Sequence, residues 1–392
     1  MTLVEVSPQI LSWAAERSGL GPDLLQRRFP KLTAWVRQEG SPTFRQLEQF
    51  AQATHTPIGY LFLPEPPVER LPIPDFRAPD HDRLRRPTAD LLDTIYLCQQ
   101  RQEWFREYAR NEALPPLALV GSARLQDSVE ATATRLRTAL AFDLSVRREL
   151  PTWTDALRRF LGQVEDLGVL IMVAGVVGSN NRRKLDPAEF RGFALSDPLA
   201  PLIFINGSDS KAAQMFTLAH ELAHLALGQS ALSDTQPSQV AANGNLDNNI
   251  LPEARTESWC NRVAAELLVP IAAFLTEYRQ NAECQTEAQR LARIFKVSVL
   301  VILRRMYEAG GLTRNEFSQE YQAALDRLAT LPGGSGGDFY LTLGARVGKR
   351  FSRAVVSSTL EGRSSFSDAF RLLGFRKMST FRALSRTLGM SF

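Results

Sequence analysis

Cysteine is nearly missing from this chain: three in 392 residues (Cys98, Cys260 and Cys284), an odd number with no Cys-x-x-Cys pair. That excludes a disulfide framework and a cysteine-based zinc cluster, and it fits a reducing compartment. Long apolar runs are lacking as well. The longest, from Gly168 to Gly178, falls short of the roughly 18 residues that a membrane span requires, so no membrane partner is expected. The first residues, MTLVEVSPQI, have neither the basic start nor the apolar core of a secretory leader, and a cytoplasmic location is expected. Histidine is scarce too, with four in all, so a pair at ligand spacing carries weight.

What is present is enough apolar material for real cores, at 44% of 392 residues. At roughly 150 residues per domain, two to four domains are expected. The net charge of +4 is unevenly spread: residues 331–392 hold ten Lys/Arg against three Asp/Glu, leaving residues 1–330 at about −3. Electrostatic attraction to nucleic acid is therefore concentrated late in the chain.

Two of the four histidines fall in one stretch, Phe216 to Gly228, which reads FTLAHELAHLALG. His220 and His224 are four residues apart, so on a helix they stack one turn apart and aim two imidazole nitrogens at one ion. Glu221 sits beside them, placed to take a proton from water as a general base. Ala219, Leu222, Ala223 and Ala226 suit a buried helical face, and Gly228 supplies a stop.

Four short helices are expected over residues 7–55, with Gly19, Gly21, Pro30, Gly40 and Pro42 as punctuation. Their arrangement suits a helix-turn-helix over residues 1–63, with Lys31, Thr33, Arg37 and Gln38 facing DNA. Prolines at 64, 66, 67, 72, 74 and 79 mark a linker over 64–80. A helical connector is expected over 81–150. A helix from Thr152 to about Leu167 then precedes three short runs rich in Val, Ile and Phe, in GVLIMVAG, FRGFALSD and PLIFING. These predict a small sheet walling the metal cleft, with an edge able to hold an extended peptide by backbone pairing. The metal-binding domain is placed at 151–330, a glycine-rich linker at 331–340, and a basic helical region at 341–392. There SFSDAFRLLG and STFRALSRTL flank Gly374 as a possible second helix-turn-helix.

A third ligand is needed. Leu227 and Ser230 stand where an extended His-rich motif would place Gly and His, and His55 and His81 lie before the connector. A downstream carboxylate is the economical choice. In TESWCNRVAAELLVP a helical phase puts Glu257, Asn261, Ala264 and Leu268 on one stripe, with Glu266 on the opposite side. Glu257 is preferred and Glu253 is second, with Asp234 and Asp247 behind them.

Several of these segments together resemble the ImmA/IrrE family of bacterial metallopeptidases fused to an Xre-type helix-turn-helix. They are WVRQEGSPTFRQLEQFA with YLFLPEPP and PDFR, LDPAEFRGFALSD with PLIFINGSDS, FTLAHELAHLALG, and ESWCNRVAAELLVP followed by FKVSVLVILRRM. The resemblance covers most of the chain. It implies a mainly α fold with a small β-sheet (α+β), in which an Xre-like helix-turn-helix precedes a zincin-like metallopeptidase domain and a C-terminal helical region. Carried over by position, His220, His224 and Glu257 match the zinc ligands and Glu221 the catalytic base. Cys260 stands where the family motif usually has Ala, and the Xre-like unit is short and broken by Pro30. Members of that family cut or inactivate a repressor protein, and fused forms occur in mobile elements and toxin–antitoxin pairs.

Two functions are therefore expected to compete. One is a zinc-dependent endopeptidase and transcriptional regulator acting on a repressor-type protein, with DNA as a further partner. The other is a DNA-binding regulator or antitoxin that binds a partner, such as a toxin encoded nearby, and holds zinc without proteolysis. A three-ligand site with a free carboxylate leans toward catalysis; an occluding segment, for which Ala231 to Asn249 is the candidate, would hold it inactive.

Overall fold

The structure is a computed structural model in which residues 3–76, 87–233, 252–329, 344 and 346–390 are described. It is mainly helical with one small mixed sheet, an α+β fold. The described chain separates into two compact units, one of residues 3–72 with 87–97 and the other of residues 73–76 with those from 98 onward. The glycine-rich segment 331–340, and with it Asp234 and Asp247, lies outside the described residues.

The first unit holds helices α1 (Pro8–Arg17), α2 (Pro22–Arg28), α3 (Leu32–Val36) and α4 (Phe44–Thr54), then a 3-10 turn at Ile58–Phe62. Its core gathers Ile10, Leu11, Trp13, Leu25, Trp35, Leu47 and Phe50. The entry to α4 is fixed by a reciprocal capping box: Gln46 N–H donates to Thr43 Oγ1 while Thr43 N–H donates to Gln46 Oε1. Lys31, Thr33, Arg37 and Gln38 are all exposed around α3, which is only five residues long. The division between the units falls within α5 (Ala89–Asn111).

In the second unit, α6 (Val129–Ala139), α7 (Leu144–Glu149) and α8 (Trp153–Leu167) precede strands β1 (Leu170–Ala174), β2 (Gly192–Leu195) and β3 (Leu202–Asn206). After β3 come α9 (Lys211–Ala226) and β4 (Ala231–Ser233). The strand order is β1-β3-β2-β4, with β1 parallel to β3 and the other pairs antiparallel. Every residue of β2 and β3 is buried, as expected of strands covered on both faces.

The turn from β3 into α9 is tied by side chains. Asn206 Oδ1 accepts from Ser208 N–H, and Ser210 Oγ accepts from Ala213 N–H as the N-cap. α9 packs against α8, β2, β3 and α10 (Pro252–Leu268). Its burial accordingly runs unbroken from Gln214 to Ala226 instead of along one stripe. At its C-terminal end the carbonyls of Leu225 and Ala226 accept from Gly121 and Ala123 N–H, so the last turn is not left unsatisfied.

Beyond α10 lie α11 (Ile271–Glu277), α12 (Cys284–Phe295), α13 (Val299–Glu308) and α14 (Arg314–Ala329), then α15 (Lys349–Leu360), α16 (Phe366–Leu373) and α17 (Met378–Thr387). Arg147, the buried residue of α7, donates to the carbonyl oxygens of Leu268 and Phe295 and so joins the ends of α10 and α12. The outer edge of β1 is met by Gly348, where a Cβ would lie 2.4 Å from the Ile171 carbonyl oxygen; with φ +74°, this is a position for glycine alone.

The other edge of the sheet corrects the expectation of a free strand beside the site. Phe76 N–H donates to Leu232 O and Leu232 N–H donates to Pro74 O, both at 2.9 Å, in a parallel bridge between Asp75 and Leu232. Among the described residues, no single helix is long and apolar enough to cross a membrane.

Candidate metal centre

Two helices and one strand build the centre. α9 carries His220, Glu221 and His224, all fully buried. α10 brings Glu257 against them, anchored by its packing on α9 and α6 and by Trp259, whose indole N–H donates to Asp127 O. His220 Nε2 and His224 Nε2 lie 3.0 Å apart. Glu257 Oε2 is 3.2 Å from the first and Oε1 3.1 Å from the second.

These contacts have hydrogen-bond lengths, yet neither Glu257 oxygen meets hydrogen-bonding geometry with any described residue. The ligand atoms of all three side chains lie within 4.8 Å of one another. Their spacing also suits a small cation: tetrahedral coordination with bonds of about 2.0–2.1 Å separates donors by roughly 3.3 Å. Two imidazoles and a carboxylate are a donor set that zinc accepts readily. His220, His224 and Glu257 are thus brought together as a group able to hold a metal ion.

The charges of the cluster are mutually dependent. Burial works against the Glu257 carboxylate, but the two histidines overcome it and hold the group down at about 2. Burial lowers both imidazoles. At His220 the Glu257 charge reverses that and raises the ring above its ordinary value, whereas His224 stays lowered, with the His220 charge adding to burial. The cluster therefore holds one proton most readily on His220. Asn261, one turn beyond Glu257, is close enough to favour that charged ring.

Glu221 is different in kind. Neither of its oxygens meets a hydrogen-bond partner among the described residues. Burial pushes its carboxyl up to about 8, with the His220 charge working against the rise and the Glu257 charge adding to it. Beside it, Gly192 of β2 is held to glycine by its packing, since a Cβ there would lie 2.5 Å from Thr217 Cγ2 and 2.8 Å from the Phe204 carbonyl oxygen.

The remaining carboxylate candidates lie elsewhere. Glu253 is exposed on the first turn of α10. Glu266 is buried on another face, where it pairs with Arg305 at 2.8 Å and accepts from Ile271 N–H. Glu266→Ala is therefore expected to keep the metal and lose stability by about 3 kcal/mol, because it leaves Arg305 with a weaker, partly exposed partner in Glu308. Metal analysis alongside denaturant unfolding checks both halves.

Two neighbours of the cluster are not among the site residues expected from sequence, although PDFR is one of the segments that carry the family resemblance. Ser233 Oγ of β4 lies 3.2 Å from His224 Nε2. The Phe76 ring lies over His224 with centroids 5.8 Å apart. Phe76 stands in PDFR, a segment with no ligand-type spacing to the helix, and Ser233 lies in a run that reads as loop. Cys260 is fully buried and burial pushes its thiol well up, so it behaves as a packing residue.

Among known protein families, residues 164–307 match the IrrE N-terminal-like domain of peptidase family M78. The matched stretch runs from the end of α8 into α13 and includes His220, Glu221, His224 and Glu257; the match points to a metallopeptidase-type function. Residues 347–387, covering α15 to α17, match a domain of unknown function. No curated protein matches the chain.

Proposed function

We propose that this chain is a zinc-dependent endopeptidase that cuts or inactivates a repressor-type protein and thereby controls gene expression. The observation that carries the reading is the convergence of His220, His224 and Glu257 beside a buried carboxyl, Glu221, that takes no part in the cluster of donors. His220 Nε2, His224 Nε2 and the Glu257 carboxylate hold the ion. Bound there, zinc supplies a Lewis acid that polarises a peptide carbonyl and acidifies water. Glu221 accepts a proton on its carboxylate from the attacking water and returns it to the departing amide nitrogen. The apolar packing around α9 excludes bulk water from that carboxyl.

The test is mass spectrometry of candidate regulator proteins incubated with the wild type and with Glu221→Gln. Fragments produced by the wild type alone support the reading.

A second reading, a regulator or antitoxin that holds zinc without turnover, draws support from the pairing of Pro74–Phe76 along β4 beside the ligands. Its partner would be a protein, such as a toxin, bound and not cut.

DNA is proposed as a further partner under either reading. The Xre-like helices present Lys31, Thr33, Arg37 and Gln38, and the C-terminal helices present Arg376, Lys377 and Arg386 at α17, all exposed. In the full-length protein, Lys31→Ala with Arg37→Ala is expected to weaken DNA binding and lower its salt slope by about two, with metal content unchanged. If Arg376→Ala, Lys377→Ala and Arg386→Ala together remove all affinity while the first pair removes none, the contact belongs to α17.

A further inference from the structure

We propose that Pro74–Phe76 form a strap that occupies the peptide-binding edge of the metal centre and has to be displaced before a substrate strand can pair there. This rests on the peptidase reading above. β4 is the outermost strand on the side of the ligands, and its last residue, Ser233, reaches His224. An extended peptide that joins this edge needs the outward N–H and carbonyl of Leu232, the middle residue of a three-residue strand. The strap already uses both, through Pro74 O and Phe76 N–H. It then turns the Phe76 ring onto His224, so one tripeptide fills the backbone ladder and the aromatic seat beside a metal ligand.

The strap is built to be displaced. Ile73 is buried and anchors one end, whereas Pro74 and Asp75 are exposed and Phe76 is half-buried. Two backbone hydrogen bonds and one ring contact hold Pro74 and Phe76 to this edge, and a peptide with a longer ladder and its own aromatic side chain competes with them. Pro74 offers no N–H, so the strap cannot extend the ladder at that residue. The occupant that replaces it is an extended polypeptide segment carrying an aromatic residue, the chemistry that Phe76 stands in for.

The experiment uses full-length, zinc-loaded protein in three forms: wild type, Phe76→Ala, which removes the ring, and Phe76→Pro, which removes the ring and the donated N–H. The probe is a fluorescein-labelled hexapeptide of the sequence Leu71–Phe76, followed by anisotropy, with dye-labelled casein as the substrate. The hexapeptide is expected to bind Phe76→Pro about tenfold more tightly than wild type, the worth of a backbone hydrogen bond and a ring contact, with Phe76→Ala between them. Casein hydrolysis should rise by a similar factor and fall again when unlabelled hexapeptide is added. Equal hexapeptide affinity in all three proteins overturns the strap, whatever happens to casein. If the hexapeptide separates the three proteins but none cuts casein, the strap stands and the peptidase reading fails. Should Phe76→Pro not fold, shown by circular dichroism, the comparison of Phe76→Ala with wild type decides alone.

Discussion

Glu221→Gln is expected to retain zinc while peptide cleavage falls by about two to four orders of magnitude, the range for losing general-base assistance. The substitution keeps the size of the side chain, which matters because Glu221 is fully buried. It also mimics the neutral form that burial already favours in Glu221, whose carboxyl is pushed up to about 8. Fold and metal content should therefore survive, as should partner and DNA binding. What is lost is the capacity to accept a proton. The sign of the pH dependence follows: cleavage requires the ionised carboxylate, so wild-type activity falls as pH drops through the pKa of Glu221. A nearby dication favours the ionised form, placing that acid limb below 8, and the residual activity of Glu221→Gln should lack it. Unchanged biological activity in the variant, with no proteolytic product from wild type, would sink the peptidase reading in favour of a regulator with a structural metal.

The parts of this centre that could be read from sequence are those set by periodicity within one element. His220 and His224 are paired by a helical turn alone, and α9 supplies that helix with an ordinary Ser210 cap. Glu257 and Glu266 share one helix, and their different phases send one to the histidines and the other to Arg305. Likewise the runs LIMVA, GFAL and LIFIN are apolar enough to be strands on composition alone. What could not be read depends on pairing between distant segments. Leu232 meets Pro74 and Phe76 across more than 150 residues, and a proline-rich stretch ordinarily reads as linker. The seating of Gly348 on the Ile171 carbonyl is equally non-local: the sequence shows a glycine, and only the fold shows why no other residue fits. At the other extreme, Lys31 and Arg37 are exposed as expected, but they flank a helix of five residues, about 7.5 Å long. Composition does not reveal that brevity.

His220→Ala, His224→Ala and Glu257→Ala are each expected to strip the metal, and this is the second large effect. Spreading the ~10–16 kcal/mol of a four-ligand zinc site evenly gives about 3 kcal/mol per ligand, or roughly two orders of magnitude in affinity. Loss of Glu257 carries a further consequence, because its charge is what raises the His220 ring above its ordinary value. Without it, burial lowers both imidazoles, and the remaining nitrogens compete less with protons but lack an anion to balance a dication. In the wild type any proton held on His220 has to leave when metal enters, so affinity weakens as pH falls through the range where His220 charges. Metal content after dialysis at pH 7.5 and at about pH 5, measured on folded protein, checks both statements. Glu253→Ala should behave as wild type, since that carboxylate is exposed on the first turn of α10. If Glu253→Ala or Glu266→Ala empties the site and Glu257→Ala does not, the third ligand is misassigned, and with it the helical phase that puts Glu257 against the histidines.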